Sequence, residues 1–332
     1  VRSVQSGARR AAAFWAIAPG AGELRSETVG EAAAGEVLVR TVWTGVSRGT
    51  ESLVLRGEVP DSEQERMRAP FQAGGFPFPV KYGYLNVGVV EQGPAPLAGR
   101  TVFTLFPHQS AFIVPAGAVI AVPDAVPARR AVLAGAVETA VNVLWDAAPS
   151  IGDRITVVGA GMIGCSIARL AAGIPGARVS LVDVDETKEH AAAALGVGFS
   201  RPEDAADGPD IVIEASGSAA GLNLALRLAP TVGEVVVASW YGSGEAGVNL
   251  GADFHSRRLS IRASQVGAVA SSRRARRTTR DRLSLALELL EDPAFDVLLA
   301  GSSPWTELPS VMAAFADGSA PGLCHTIDWR SF

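Results

Sequence analysis

Residues 153–164, Asp-Arg-Ile-Thr-Val-Val-Gly-Ala-Gly-Met-Ile-Gly, constrain the fold of this chain more than any other stretch. An apolar run from Ile155 to Val158 leads straight into Gly159-x-Gly161-x-x-Gly164, and a helical pattern follows. In such a motif the first glycine allows a tight turn and the second lets backbone amides approach a pyrophosphate. The third lets the helix pack on the strand. The helix N-terminus then offers unpaired N–H groups and a positive dipole end to the phosphates. A second apolar run, Val179 to Val182, ends in Asp183, nineteen residues after Gly164. A carboxylate there accepts the ribose hydroxyls of NAD and repels a 2′-phosphate. Strand, glycines, helix, strand and acid in register predict a βαβ unit that binds NAD.

The rest of the chain extends that unit in both directions. Strands are expected at 154–158, 179–182, 210–214, 234–239 and 259–264, with helices near 163–173, 186–195 and 219–229. This alternation is the pattern of a doubly wound parallel sheet. Ahead of it, short strands at 36–43, 88–91, 101–105 and 111–114 are separated by Gly/Pro turns, and a helical stretch covers 128–145. Residues 1–10 read as a loose start. After Gly267 come a basic segment, helices at 282–291 and 308–315, and a strand near 325–329. A length of 332 residues suits two domains. The expected division is 1–127 with 268–332 as a β-rich substrate domain, and 128–267 as the nucleotide domain.

Composition narrows the partners. A net charge of −5 argues against nucleic acid or an anionic membrane surface. The two cysteines, Cys165 and Cys324, suggest neither a Cys-rich zinc site nor a disulfide scaffold, so a reducing cytoplasm is the default expectation. No apolar run is long enough to span a bilayer, and the first residues carry no signal-peptide core.

A β-rich segment, a nucleotide fold and a short return resemble the medium-chain dehydrogenase/reductase superfamily. The anchors are Gly35-Glu36-Val37-Leu38-Val39-Arg40, Gly45-Val46-Ser47-Arg48-Gly49-Thr50-Glu51 with Gly57, Tyr82-Gly83-Tyr84-Leu85-Asn86-Val87-Gly88, Gly99-Arg100-Thr101-Val102-Phe103, Glu138-Thr139-Ala140 and the glycine motif. The resemblance implies a GroES-like β-barrel catalytic domain beside a Rossmann domain, an active site in the cleft between them, and a homodimer. It assigns cofactor contacts to Gly159, Gly161, Met162, Ile163, Gly164, Asp183, Lys188, Thr139 and Ser216. His325 falls where the family often places an arginine near the pyrophosphate, with Glu51 as its acidic partner. Trp240, Tyr241, Ser264 and Gln265 follow strand ends of the nucleotide domain, where ligands of open α/β sheets gather.

At the family's catalytic metal site the resemblance fails. Zinc-dependent members present a Gly-x-Cys-Gly-[Ser/Thr]-Asp pattern, a Gly-His-Glu and a later cysteine. Here Arg48 stands at the first position, Tyr84-Leu85 replaces His-Glu, and Gly135 takes the third. Three Cys, His or carboxylate ligands must converge to hold a catalytic zinc, so a zinc-free member is expected. The Ser47–Glu51 segment also resembles a subgroup that includes bacteriochlorophyllide a dehydrogenase and dehydrogenases of specialised bacterial metabolism.

Without metal, a side chain must supply or accept the proton of the reacting oxygen. Tyr84 leads the candidates, with Lys81 expected to lower its pKa; the competing reading is an aromatic plug in the old metal cavity. Thr50 matches a hydroxyl that relays protons in the zinc enzymes. Arg48 is read as an oxyanion or substrate contact, or as the partner of Glu51 in a loop-bracing ion pair. Glu138 is a possible base or a helix cap. His108, after Phe106-Pro107, is a titratable group at the expected substrate pocket or an exposed bystander. Phe106 and Tyr241 complete the expected substrate contacts. The arginines Arg273, Arg274, Arg276, Arg277, Arg280 and Arg282 read as solvated helix-face charge, or as a steering patch for an anionic substrate.

The expected function is NAD(H)-dependent, zinc-independent hydride transfer between a secondary alcohol and its ketone. Reduction of a conjugated double bond, as in enoyl or quinone reductases, is the alternative. A non-catalytic dinucleotide-binding protein is a third reading, since a fold does not fix a function.

Overall fold

The computed structural model describes residues 8–320 and 322–332. The chain divides into two compact units, one up to Gly135 together with Leu299–Phe332, the other Ala136–Leu298.

In the first unit the central element is the long strand Glu36–Ser47. Its β-branched residues alternate into a closed core with Val90, Val102, Phe106, Phe112 and Val114. Along its length it pairs antiparallel with three partners. Residues 36–40 face Ala111–Pro115, the middle faces Asn86–Gln92, and Trp43–Ser47 faces Cys324–Asp328. The last pairing brings the C-terminal strand back onto the N-terminal sheet and sets Cys324 opposite Ser47. Leu299–Pro304 adds a parallel edge strand. A smaller sheet carries the hairpin Arg9–Ala18/Ala21–Val29, so ordered strand begins within the stretch expected to be loose; the expectation for residues 1–7 lies outside the described residues. The hairpin and the strand Leu299–Pro304 went unforeseen because neither alternates cleanly in hydrophobicity; the hairpin's inner face is largely alanine.

The second unit is a six-stranded parallel sheet. Its strand order runs Gly198–Ser200, Arg178–Val182, Arg154–Val158, Ile211–Glu214, Glu234–Val237, Ser260–Ala263. The order reverses direction at Arg154–Val158, the point where open α/β sheets collect ligands. Valines 158, 182, 212, 235 and 237 pack against Leu222 and Leu226 of the helix Ala219–Leu228.

Helix Thr279–Leu289 packs with this sheet unit, although the sequence division assigned it to the β-rich domain. Two ion pairs explain the placement. Arg169 meets Asp292 at 2.6 Å, and the buried guanidinium of Arg282 meets Glu138 at 3.0 Å. Arg282 also binds Asn142 and the backbone oxygens of Val266 and Ala268. The basic run therefore divides. Arg282 is a buried clamp, whereas Arg273, Arg274, Arg276 and Arg277 sit exposed on turns before the helix rather than on its face. Among the described residues no helix is long and apolar enough to cross a membrane.

Candidate functional site

The glycine loop of the sheet unit has the geometry its sequence implies. Gly159 has φ +106°, and a Cβ there would meet the Ser216 amide nitrogen at 2.5 Å. A Cβ on Gly164 would lie 1.8 Å from the Gly159 carbonyl oxygen, so helix Met162–Ala172 can approach the strand only with glycine at that place. Gly161 differs: a Cβ there would meet nothing within 4 Å, and no side chain caps the helix. The loop thus leaves open space at the helix N-terminus, where amide donors and the dipole suit a pyrophosphate. A dinucleotide fits this cradle.

Asp183 ends the strand Arg178–Val182, and its carboxylate accepts the Ala160 amide at 2.6 Å and the Asp185 amide at 2.9 Å. Each oxygen keeps lone-pair capacity for a ribose hydroxyl. Lys188 stands 3.6 Å from Asp185 at the same edge. Met162 is buried in the helix, Ile163 is half-buried, and Cys165 behind them is fully buried, its thiol pushed up to about 12 mainly by burial. Ser216 is exposed beside the loop and donates to Glu214 at 2.6 Å. Of the remaining expected contacts, Trp240, Tyr241 and Thr139 are half-buried and Gln265 is exposed. Ser264 is buried and donates to Asp146 at 2.7 Å, which ties its hydroxyl to the protein core. Burial, followed by Glu214, raises the pKa of the Tyr241 hydroxyl.

Glu138 does not fit either expected role. It sits inside helix Ala134–Ala147 and is held by Arg282, so it neither caps the helix nor stands free as a base. Burial raises its pKa, and the Arg282 charge and hydrogen bonds oppose that rise.

In the β-rich unit the residues around Tyr84 form a second cluster. The strand Glu36–Ser47 delivers Ser47, and the helix Thr50–Arg56 that follows delivers Thr50 and Glu51. The hydroxyls of Ser47 and Thr50 lie close enough to the Tyr84 phenolic oxygen to act on its pKa. The Tyr82 ring meets that of Tyr84 edge-on at 6.0 Å. The phenol of Tyr84 is raised above its ordinary value, first by burial and next by the Glu51 charge, while the Ser47 and Thr50 hydroxyls act in the opposite direction. Cys324 lies close enough to Tyr84 to add to the rise, and its own thiol is pushed up to about 12 by burial.

Four expectations for this unit are corrected. Lys81 does not depress Tyr84: its ammonium is 2.7 Å from both Glu27 and Gln109, neutralised by the first and held by the second. Arg48 does not pair with Glu51. Its side chain is exposed, and Glu51 instead accepts the Ser47 amide at 2.6 Å and faces His108 Nε2 at 2.8 Å. His325 likewise fails to pair with Glu51; it meets Ser303 at 3.1 Å, and burial together with Arg129 lowers its pKa, favouring the neutral ring. His108 is neither an exposed bystander nor open to substrate, being 1% exposed, and Phe106 stacks on Phe112 at 3.8 Å within the core.

Ser47 is the residue sequence reasoning passed over. Its signal was present, because Gly45-Val46-Ser47 matches the family's Gly-x-Cys if Arg48 is treated as an extra residue. The donor set does not fit a catalytic zinc. Hydroxyls of Ser47, Thr50 and Tyr84 are poor ligands and Cys324 is a single thiol, whereas a catalytic zinc needs three converging Cys, His or carboxylate ligands. Among the described residues no group of three His, Cys, Asp or Glu side chains could hold a metal ion.

No protein-family model and no curated protein matches the chain. Solved structures do. L-idonate 5-dehydrogenase from Escherichia coli superposes with a TM-score of 0.78 at 16% identity, covering 97% of this chain and 100% of that one. Acetophenone reductase from Geotrichum candidum, in complex with NAD, gives 0.75 at 17%, covering 96% and 97%. A zinc-binding dehydrogenase from Sinorhizobium meliloti bound to NADP gives 0.75 at 17%, covering 96% and 99%. The chain therefore has, over nearly its whole length, the α/β fold of these dehydrogenases: a β-rich unit and a Rossmann-like parallel-sheet unit.

Proposed function

We propose that the protein is an NAD(H)-dependent oxidoreductase that interconverts a secondary alcohol and its ketone, with Tyr84 rather than zinc meeting the reacting oxygen. The observation that carries this reading is the cluster of Ser47, Thr50 and Tyr84 hydroxyls at the place where a metal-dependent relative needs soft ligands. A nicotinamide dinucleotide, when bound, supplies or takes the hydride. The loop at Gly159–Gly164 binds its pyrophosphate, and Asp183 selects the ribose that lacks a 2′-phosphate.

The raised pKa of Tyr84 supports a proton-donor role. The phenol keeps its proton through the neutral range, so in the reductive direction it donates a hydrogen bond to the carbonyl oxygen and then the proton to the developing alkoxide. The Ser47 and Thr50 hydroxyls then bond to the phenolate and offset part of the Glu51 repulsion. Arg48, exposed and unpaired among the described residues, is available to an anionic substrate group. A specialised metabolite as substrate and kinship with the bacteriochlorophyllide a dehydrogenase subgroup complete the proposal, supported by the resemblance of the Ser47–Glu51 segment. The two unpaired cysteines support a cytoplasmic setting, and the superfamily resemblance supports a homodimer.

The test is consumption of NADH against a panel of ketones and a matched panel of conjugated enones. Turnover of ketones with loss of the carbonyl supports the proposal. Turnover confined to the enones would transfer the protein to double-bond reduction, and NADH binding with no turnover in either panel would make it a binding protein. Within the same assay NADH is expected to bind about tenfold or more tightly than NADPH, and Asp183→Ala to narrow that gap. Equal affinities in the parent protein would remove the role given to Asp183.

A further inference from the structure

The imidazole of His108 is 1% exposed, yet both of its ring nitrogens are engaged. Nδ1 lies 2.7 Å from the Thr44 hydroxyl, and Nε2 lies 2.8 Å from Glu51 Oε1. The network continues at each end. The Trp329 indole N–H donates to the Thr44 hydroxyl oxygen at 3.0 Å, and the Ser47 amide donates to Glu51 Oε2 at 2.6 Å. Thr44, Glu51, His108 and Trp329 are all at most 2% exposed, so bulk solvent reaches none of them.

Donor and acceptor counting fixes the direction of this chain. An indole N–H can only donate, so the Thr44 oxygen accepts there. A backbone amide can only donate, so Glu51 accepts from Ser47, and as a carboxylate it accepts at Oε1 as well. Nε2 of His108 therefore carries a hydrogen. If Nδ1 carried one too, the Thr44 oxygen would accept twice and its own hydrogen would have no acceptor among the neighbouring side chains. With Nδ1 bare, every donor from Trp329 to Ser47 has an acceptor.

We propose that His108 is a positioning residue: neutral, with its hydrogen on Nε2, it fixes Glu51 and through it the 47–51 turn that aims the Ser47 and Thr50 hydroxyls at Tyr84. This rests on the reading of Tyr84 as proton donor given above. The imidazole does not exchange a proton with substrate, because it is sealed from solvent and both nitrogens are occupied. The charged and titratable groups around it fit the same picture. Glu51 lies against it, Tyr82 and Tyr84 are both held protonated by burial and by Glu51, and Lys81 is neutralised by Glu27.

Nitrogen-15 NMR of the full chain labelled at its four histidines reads the tautomer directly. The expected result is one imidazole with a protonated Nε2 and a bare Nδ1, missing in His108→Gln. A doubly protonated ring, or a hydrogen on Nδ1, would overturn the proposal, and this holds whether or not any variant is stable. Kinetics supply the second reading. His108→Phe, which fills the space without bonding, is expected to lower kcat about tenfold while the KM for ketone and the Kd for NADH stay unchanged. His108→Gln, which retains a donor toward Glu51, is expected to recover most of that loss. Equal losses in both variants, or none in His108→Phe, would contradict the positioning role. A parent protein that reduces no ketone would sink the proposed function instead, and the NMR result would still decide the state of His108.

Discussion

Tyr84→Phe is expected to lower kcat for ketone reduction by about 10²-fold, equivalent to about 3 kcal/mol of transition-state stabilisation, with the Kd for NADH unchanged. The substitution removes one hydroxyl and keeps the ring that packs edge-on against Tyr82. A loss confined to kcat therefore separates the proton-donor role from the packing role, and an unchanged kcat would reduce Tyr84 to a plug. The pH profile adds a second check. Because burial and Glu51 raise the phenol above its ordinary value of 10.0, the limb from its ionisation lies on the alkaline side of pH 10 and the neutral range is flat with respect to Tyr84. The same shift has a stability consequence. A phenol that binds its proton more tightly when folded favours the fold below the unfolded pKa, and that contribution is lost as pH rises through the folded value.

The second large effect concerns two glycines of one loop. Gly164→Ala places a methyl 1.8 Å from the Gly159 carbonyl oxygen, so the helix Met162–Ala172 must move off its strand. A loss of about 1–3 kcal/mol in stability is expected, with NADH affinity falling alongside. Gly161→Ala should behave differently, because its backbone is extended at φ −76° and its Cβ would meet nothing in the protein. Its Tm should match the parent, while NADH affinity falls about tenfold or more as the methyl enters the space for the pyrophosphate. Thermal melts and NADH titrations of the two variants distinguish these outcomes. A Gly161→Ala protein with full affinity would move the phosphates elsewhere.

Local periodicity made the sheet unit readable. Three of its strands, Arg154–Val158, Ile211–Glu214 and Glu234–Val237, carry unbroken β-branched runs bounded by turns, and glycine spacing carries its own geometric meaning. The strand Gly198–Ser200 is only three residues long and has no such signature. The hydroxyl cluster was only half legible, since a motif shows which residues are near in sequence and not which way each side chain turns. Ser47 ends its strand buried, and Arg48 opens the turn that follows and is exposed. Glu51 lies between several plausible partners in sequence terms. Its actual partner, His108, comes from 57 residues away and is brought to it by sheet pairing. Lys81 was misread for a similar reason: its counter-ion, Glu27, lies 54 residues away in a hairpin the hydrophobic pattern did not announce. Arg282 looked like one more surface charge because its partners, Glu138 and Asn142, precede it by 144 and 140 residues.

In the proposed mechanism a tyrosine hydroxyl, not a metal ion, meets the reacting oxygen. Metal analysis of the purified protein, with NADH-dependent ketone reduction measured before and after a chelator, tests it most directly. Zinc far below one equivalent per chain and turnover unchanged by chelation are expected, since among the described residues no three His, Cys, Asp or Glu side chains converge to hold a metal ion. Zinc at about one equivalent, with activity lost on its removal and restored on its return, would contradict it.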